Sequence, residues 1–317
     1  MVALRFDEVT KAYGKLRALD RLSFSVPRGA ICGLVGPNGA GKTTAFGIAG
    51  GFVQADEGAV DVLGEGAFDP WAHKGRVLVL PQDCELNPHT PVAALLRYFA
   101  RLQGMGRAEA DHAVDQILDE VELRDRAGAL VRQLSHGMKR RVAVAQALLG
   151  APELILLDEP TNGLDPELVV RMREVLRRRG GRSTLVISSH VLAELEAVCD
   201  HVVFMEAGRC LRAGSLAEVT ERQRRLRYVL GEPALDALGR SVAGGARLDA
   251  AIQAALPGIA LDHSDHTLLV VAPAGTEAAA LNQALLPLLL QAGVPLLEIG
   301  AGEKLEAAWM ARRAELR

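Results

Sequence analysis

The stretch GPNGAGKTT at residues 36–44 decides the fold. It satisfies the spacing G-x-x-x-x-G-K-[ST], in which glycines let the chain curl so that successive backbone N–H groups face one anion. AICGLV before it is a short apolar run of the kind that forms a buried parallel strand, and TTAFGIAGG after it starts a helix. Strand, glycine-rich turn and helix N-terminus together cradle phosphates, because free N–H groups and the positive end of the helix dipole point the same way. Gly36, Asn38, Gly39, Gly41 and Thr44 belong to this cradle. Lys42 is placed to reach the β- and γ-phosphates of a nucleotide, and the Thr43 hydroxyl to ligate Mg²⁺. A chance glycine-rich turn is the competing explanation, and the flanks argue against it.

Working outward, LILLDE at 154–159 supplies four apolar residues and then two acids. A buried parallel strand fits the first four, and its carboxyl end is where α/β sheets place ligands. Asp158 there is positioned to hold Mg²⁺ through water, and Glu159, pointing differently, to orient and deprotonate an attacking water. TLVISSH at 184–190 is a third strand–loop unit that brings His190 to the same edge. LSHGMKRRVAVAQALL at 134–149 starts a helix with Ser135 as its N-cap. Such a terminus either caps an ordinary helix or, with the nearby Gly137, holds an anion.

These motifs, in this order, resemble the ATP-binding subunit of ABC transporters over about residues 2–220. The resemblance implies an α/β P-loop NTPase domain of the ABC nucleotide-binding type. It also implies the following roles. Tyr13 in KAYGK stacks on adenine. Residues 36–44 are the Walker A loop, and Gln82 in VLPQD is the Q-loop glutamine that helps ligate Mg²⁺ and senses a membrane partner. LSHGM stands for the LSGGQ signature, with Ser135 and Gly137 binding nucleotide. LILLDEP is Walker B with Glu159 as catalytic base, NGLD ending at Asp165 is the D-loop, and His190 is the switch histidine. ATP and Mg²⁺ are the implied cofactors. The implied partners are a second copy, joined head to tail, and a separate membrane-spanning permease. The departure lies in the signature, where His136 replaces a glycine and Met138 a glutamine. The serine hydroxyl and the uncrowded Gly137 N–H are retained, so a dead site does not follow.

Residues 88–149 are expected to form the helical subdomain, with Thr90 capping and Pro91 opening a helix that continues through VAALLRYFARL, and a second helix in ADHAVDQILDEVEL. The charged ERQRRLR at 221–227 marks a boundary, giving an ATP-binding domain over 1–220 and an accessory domain over 221–317. The tail reads as strand 226–231, helix 247–256, strands 259–263 and 267–272, helix 276–291, strand 295–299 and helix 303–316, close to a split β-α-β-β-α-β unit of α+β type with an extra helix. His263 and His266 flank an expected hairpin turn and read as surface residues rather than metal ligands. Extensions of this size resemble those of ABC-2-type exporter ATPases.

The chain has 317 residues, 49% of them hydrophobic and 24% charged, with a net charge of −3. That balance suits a globular protein with a sizeable core and argues against a large nucleic-acid surface. Lys139-Arg140-Arg141 and Arg177-Arg178-Arg179 read as solvated helix faces or ends. Cys32, Cys84, Cys199 and Cys210 show no metal-binding spacing, and no apolar run suits a signal peptide or a membrane span. The expected location is therefore cytoplasmic with no nucleic-acid partner, and the resemblance implies a peripheral place on the inner face of the membrane through the permease. Two other functions stay open on residues alone: a soluble ABC ATPase serving a non-transport partner, and an ATP-dependent regulatory module with little hydrolysis.

Overall fold

The computed structural model describes residues 1–150, 152–220, 225–230, 247–264, 267–272, 278–302 and 304–314. They form two compact units, Met1–Gly214 and Ser215–Arg317.

The first unit begins with a hairpin, β1 (Val2–Tyr13) and β2 (Leu16–Pro27). Residues Arg21–Val26 of β2 alternate between exposed and buried, the alternation of β1 is interrupted at register shifts, and Phe6 stacks on Phe24 directly across the pair, ring centroids 4.7 Å apart. Then come β3 (Ile31–Val35), α1 (Lys42–Ala49), β4 (Glu57–Val62) and β5 (Val77–Leu80). Two helices follow, α2 (Val92–Leu102) and α3 (Arg107–Glu120), with α4 (His136–Leu148) after them. The unit continues with β6 (Leu154–Asp158), α5 (Pro166–Arg179), β7 (Thr184–Ser188), α6 (Leu192–Val198), β8 (His201–Glu206) and β9 (Arg209–Ser215). The α2 helix starts one residue later than expected, with Pro91 itself at the cap, and α3 starts earlier and ends at Glu120.

β1 lies between β2 and β4 in a three-stranded antiparallel sheet. The larger sheet has the order β5-β6-β7-β3-β8-β9, with β5, β6, β7, β3 and β8 parallel. All five residues of β3, β6 and β7 are buried, the pattern of parallel strands covered on both faces. The α1 helix touches both sheets, and one core runs from Leu4, Phe6 and Leu22 through Ala45 and Phe46 to Leu34, Leu156 and Val186. This layering fixes the site. β5, β6, β7 and β3 are adjacent and parallel, so their carboxyl ends share one edge of the sheet.

The second unit holds α7 (Leu216–Val219), β10 (Arg225–Leu230), α8 (Leu248–Ala255), β11 (Ala260–Ser264), β12 (Thr267–Val271), α9 (Ala278–Gln291), β13 (Leu296–Ala301) and α10 (Leu305–Ala314). Its sheet has the order β11-β12-β10-β13 with every pairing antiparallel, the split β-α-β-β-α-β arrangement expected from sequence. Leu281, Leu285 and Leu289 of α9, four residues apart, pack with Tyr228, Leu268 and Val270 in its core. Residues 221–224 of the charged boundary segment, 265–266 of the expected hairpin turn, and 276–277, 303 and 315–316 of the expected helices lie outside the described residues. Among the described residues, no helix is long and apolar enough to cross a membrane.

Candidate active site

The loop after β3 turns on glycines, and at Gly41 nothing else fits. Gly41 has φ +99°, and a Cβ there would lie 2.5 Å from the Ala18 carbonyl oxygen. The loop carbonyls of Gly36 and Pro37 accept hydrogen bonds from Lys42 Nζ at 2.7 and 3.1 Å, which anchors the ammonium inside the curl. Lys42 is 7% exposed. Burial pushes its pKa down, and the nearby Glu159 and Asp158 carboxylates act in the opposite sense.

From the edge of β6, Asp158 accepts a hydrogen bond from Thr43 Oγ1 at 2.7 Å and another from Ser188 Oγ. Glu159 follows in the left-handed region at φ +52°, which costs a non-glycine residue about 1 kcal/mol or more. That conformation is held from both sides of the residue. The Glu159 N–H donates to the Ser188 carbonyl at 3.2 Å and to Ser188 Oγ at 3.0 Å, and the Glu159 carbonyl accepts from the Asn162 N–H at 3.1 Å. The carboxylate is thereby aimed at His190, whose Nδ1–H donates to Oε2 at 2.8 Å. Glu159 is buried while the His190 ring is largely exposed, so the histidine reaches in from solvent to a carboxylate fixed in the wall.

These groups face a cleft of about 540 Å³. Tyr13 at the end of β1, Asn38, Gly39, Gly41, Lys42, Thr43 and Thr44 line it, and so do Gln82 beyond β5, Asp158, Glu159 and His190. Gly36 sits behind the loop against the Met205 backbone. Four adjacent strand ends therefore deliver one cation, two carboxylates, an amide and an imidazole to one cavity. A phosphate chain fits the loop, and a carboxylate beside it can accept a proton from water.

Ser135 and Gly137 are not in that cleft wall. Ser135 caps α4, its Oγ accepting from the Met138 N–H at 3.2 Å, and it is exposed. The His136 ring lies over Gly163, where an added Cβ would come within 2.6 Å of the imidazole.

One sequence expectation is corrected. Arg140 and Arg141 are each only 8% exposed and form no solvated face. Arg140 donates from Nη1 to the Gln82 carbonyl at 2.9 Å, from Nη2 to the carbonyls of Asp158 and Glu159 at 2.6 and 2.7 Å, and from Nε to Pro160 at 3.4 Å. Arg141 donates to the carbonyls of Val121 and Glu122. Burial lowers the pKa of both. The physical reason is periodicity: residues 140–145 are all buried, and the basic run enters that block instead of flanking it. Ser188 was also missed, although a serine ending a strand two residues before His190 was visible.

A phosphate loop on one parallel strand, with an acid pair on the next strand but one, defines a P-loop nucleotide hydrolase. The profile of the family described as ABC transporter matches residues 19–162. The Nod factor export ATP-binding protein I of Paraburkholderia xenovorans (strain LB400) is 37% identical over 222 residues, 67% of this chain and 71% of that one. A solved ATP binding subunit of an ABC transporter matches with a TM-score of 0.63 and 27% identity, covering 69% of this chain and 92% of its own. A dimeric, post-hydrolysis ATP-binding cassette bound to ADP and Pi matches with a TM-score of 0.62 and 24% identity over 67% of this chain and 98% of its own, a likeness of fold. The chain belongs to the ABC transporter family as an ATP-binding subunit, and its reaction is ATP hydrolysis coupled to transport.

Proposed function

We propose that this protein is the ATP-hydrolysing motor of an ABC-2-type exporter, closing head to tail with a second copy on ATP to drive a separate membrane permease. Tyr13 stacks on the adenine, and the N–H groups of the 36–44 loop with Lys42 hold the phosphates. Glu159 takes the proton from the attacking water, and His190 holds that carboxylate and reaches the γ-phosphate. The exposed Ser135 and the half-buried Gly137, both outside their own cleft, serve the nucleotide of the partner copy.

The donor set suits a hard cation. The Thr43 hydroxyl and the Asp158 carboxylate are 2.7 Å apart, and the Gln82 amide lies on the same cleft. Mg²⁺ would be held by these residues, Asp158 through water, and would neutralise charge on the β- and γ-phosphate oxygens. Residues 1–220 act as the ATPase domain, with 88–149 as its helical subdomain, the joining segment 83–90 receiving the permease, and 221–317 as an accessory domain. The motor works on the inner face of the membrane through that permease, without nucleic acid. The export relative supports the outward direction.

The observation that carries this reading is the fixed Glu159–His190 pair beside Lys42 and the Thr43–Asp158 pair in one cleft. Steady-state phosphate release by the purified chain with Mg-ATP tests it, together with co-purification of a multi-span membrane chain. A chain that binds ATP but releases no phosphate would favour a regulatory module instead.

A further inference from the structure

Arg140 is a buried cation without a carboxylate partner among the described ion pairs, and its guanidinium is satisfied by backbone carbonyls alone. Three of those carbonyls, from Asp158, Glu159 and Pro160, are consecutive and belong to the turn that carries the catalytic acids. The fourth belongs to Gln82, beyond the neighbouring strand β5 and lining the same cleft. The planar fork spans both, which a single ammonium cannot do.

What it grips is a strained peptide. Glu159 sits at φ +52°, and a residue in that region persists only when its surroundings over-determine it. On its N–H side Ser188 does this. On its carbonyl side the Asn162 N–H and Arg140 Nη2 share the work, and the charge-assisted bond at 2.7 Å is the shorter of the two. The direction of the Glu159 side chain follows from that peptide. The same guanidinium projects from α4, the helix whose N-terminus carries Ser135 and Gly137.

We propose that Arg140 is a positioning residue for ATP hydrolysis, clamping the Glu159 peptide in the conformation that aims its carboxylate and locking that peptide to Gln82 and to α4. The role rests on Glu159 being the base. It acts through Glu159 and touches no substrate, so its loss appears in turnover and not in ATP affinity. Arg141 is the internal comparison: it is equally buried and also bonded to carbonyls, but those of Val121 and Glu122, which do not line the cleft.

The test uses the full chain with Mg-ATP, following phosphate release and binding of a fluorescent ATP analogue. Arg140→Met is expected to lower kcat about tenfold to a hundredfold, the scale of a small misplacement of a catalytic group, with analogue affinity within about twofold. Arg140→Lys keeps the charge and recovers only part of kcat, and millimolar guanidinium added to Arg140→Ala restores part of the lost rate. Arg141→Met loses less in kcat than Arg140→Met at a comparable loss of thermal midpoint. In a Glu159→Gln background, Arg140→Met adds little further loss, because both act through one group. Wild-type kcat in Arg140→Lys overturns the proposal, and that variant decides alone if Arg140→Met does not fold. A full multiplicative loss on top of Glu159→Gln, or an equal loss in Arg141→Met, also overturns it. Wild-type hydrolysis by Glu159→Gln would instead remove the base assignment, a separate failure read in a separate variant.

Discussion

Lys42 and Glu159 are buried residues lining one cleft, and their removal is expected to have different consequences. Lys42→Ala deletes the cation anchored among the loop carbonyls. Phosphate release is expected to fall about 10²–10³-fold, the cost of losing one preorganised charge at a phosphoryl group, with weaker ATP binding as well. Glu159→Gln keeps the shape and removes the proposed base, so hydrolysis is expected to fall about 10²–10⁴-fold while equilibrium binding of ATP persists. Gly163 tests the unusual signature. At φ +76° under the His136 ring, Gly163→Ala meets both backbone strain and a clash at 2.6 Å. It should destabilise by about 1–2 kcal/mol in urea unfolding, and His136→Gly in the same chain should relieve the clash but not the roughly 1 kcal/mol of strain.

Elements decide how much of this was readable in the chain. The strands β3, β6 and β7 were legible as short apolar runs ending in chemistry, since a strand buried on both faces leaves no other pattern. Tyr13 and Gln82 were reached only through the family resemblance, whereas Lys42, Thr43, Asp158, Glu159 and His190 followed from those strand ends. Their adjacency did not, because the order β5-β6-β7-β3 is a fact of crossovers, not of any local window. Arg140 was illegible for a related reason: a basic triplet looks solvated unless the helix face it occupies is known. The accessory unit makes the converse case, because alternation and helical spacing were enough to place its four strands. There, α9 is pinned to β10 by Tyr228 Oη, which donates to Asn282 Oδ1 at 2.7 Å. Tyr228→Phe should cost that unit about 1 kcal/mol in denaturant unfolding, a hydrogen bond with the ring retained. Leu285→Ala, emptying a fully buried site on the same helix face, should cost about 2–5 kcal/mol.

At the scale of the whole molecule, the proposed head-to-tail dimer would join two anion sites of the ATPase unit. One is the phosphate loop, with Asn38 exposed at its tip. The other is the N-terminus of α4, where the Ser135 cap and Gly137 are outside the cleft of their own chain. Two copies related by a two-fold axis can satisfy both at once, each signature end meeting the γ-phosphate held by the other's Lys42. In that proposed dimer ATP is part of the interface, and binding favours the dimer by mass action. In the proposed motor, hydrolysis withdraws the bridge and gives the permease a stroke tied to chemistry. The test is a cross-link. Of the native thiols, Cys32 and Cys199 are buried, so replacing the half-buried Cys84 and Cys210 leaves a background with no accessible cysteine among the described residues. In that background with Glu159→Gln, Asn38→Cys and Ser135→Cys are introduced together, with Asn38→Cys and His136→Cys as the companion pair that keeps the serine. Both sites are exposed, so an oxidant has access to them in either state. A covalent dimer on a non-reducing gel is expected with Mg-ATP and little of it without nucleotide. Equal cross-linking in both conditions, or bridges confined to single chains in both pairs, would show that the two sites never share a nucleotide.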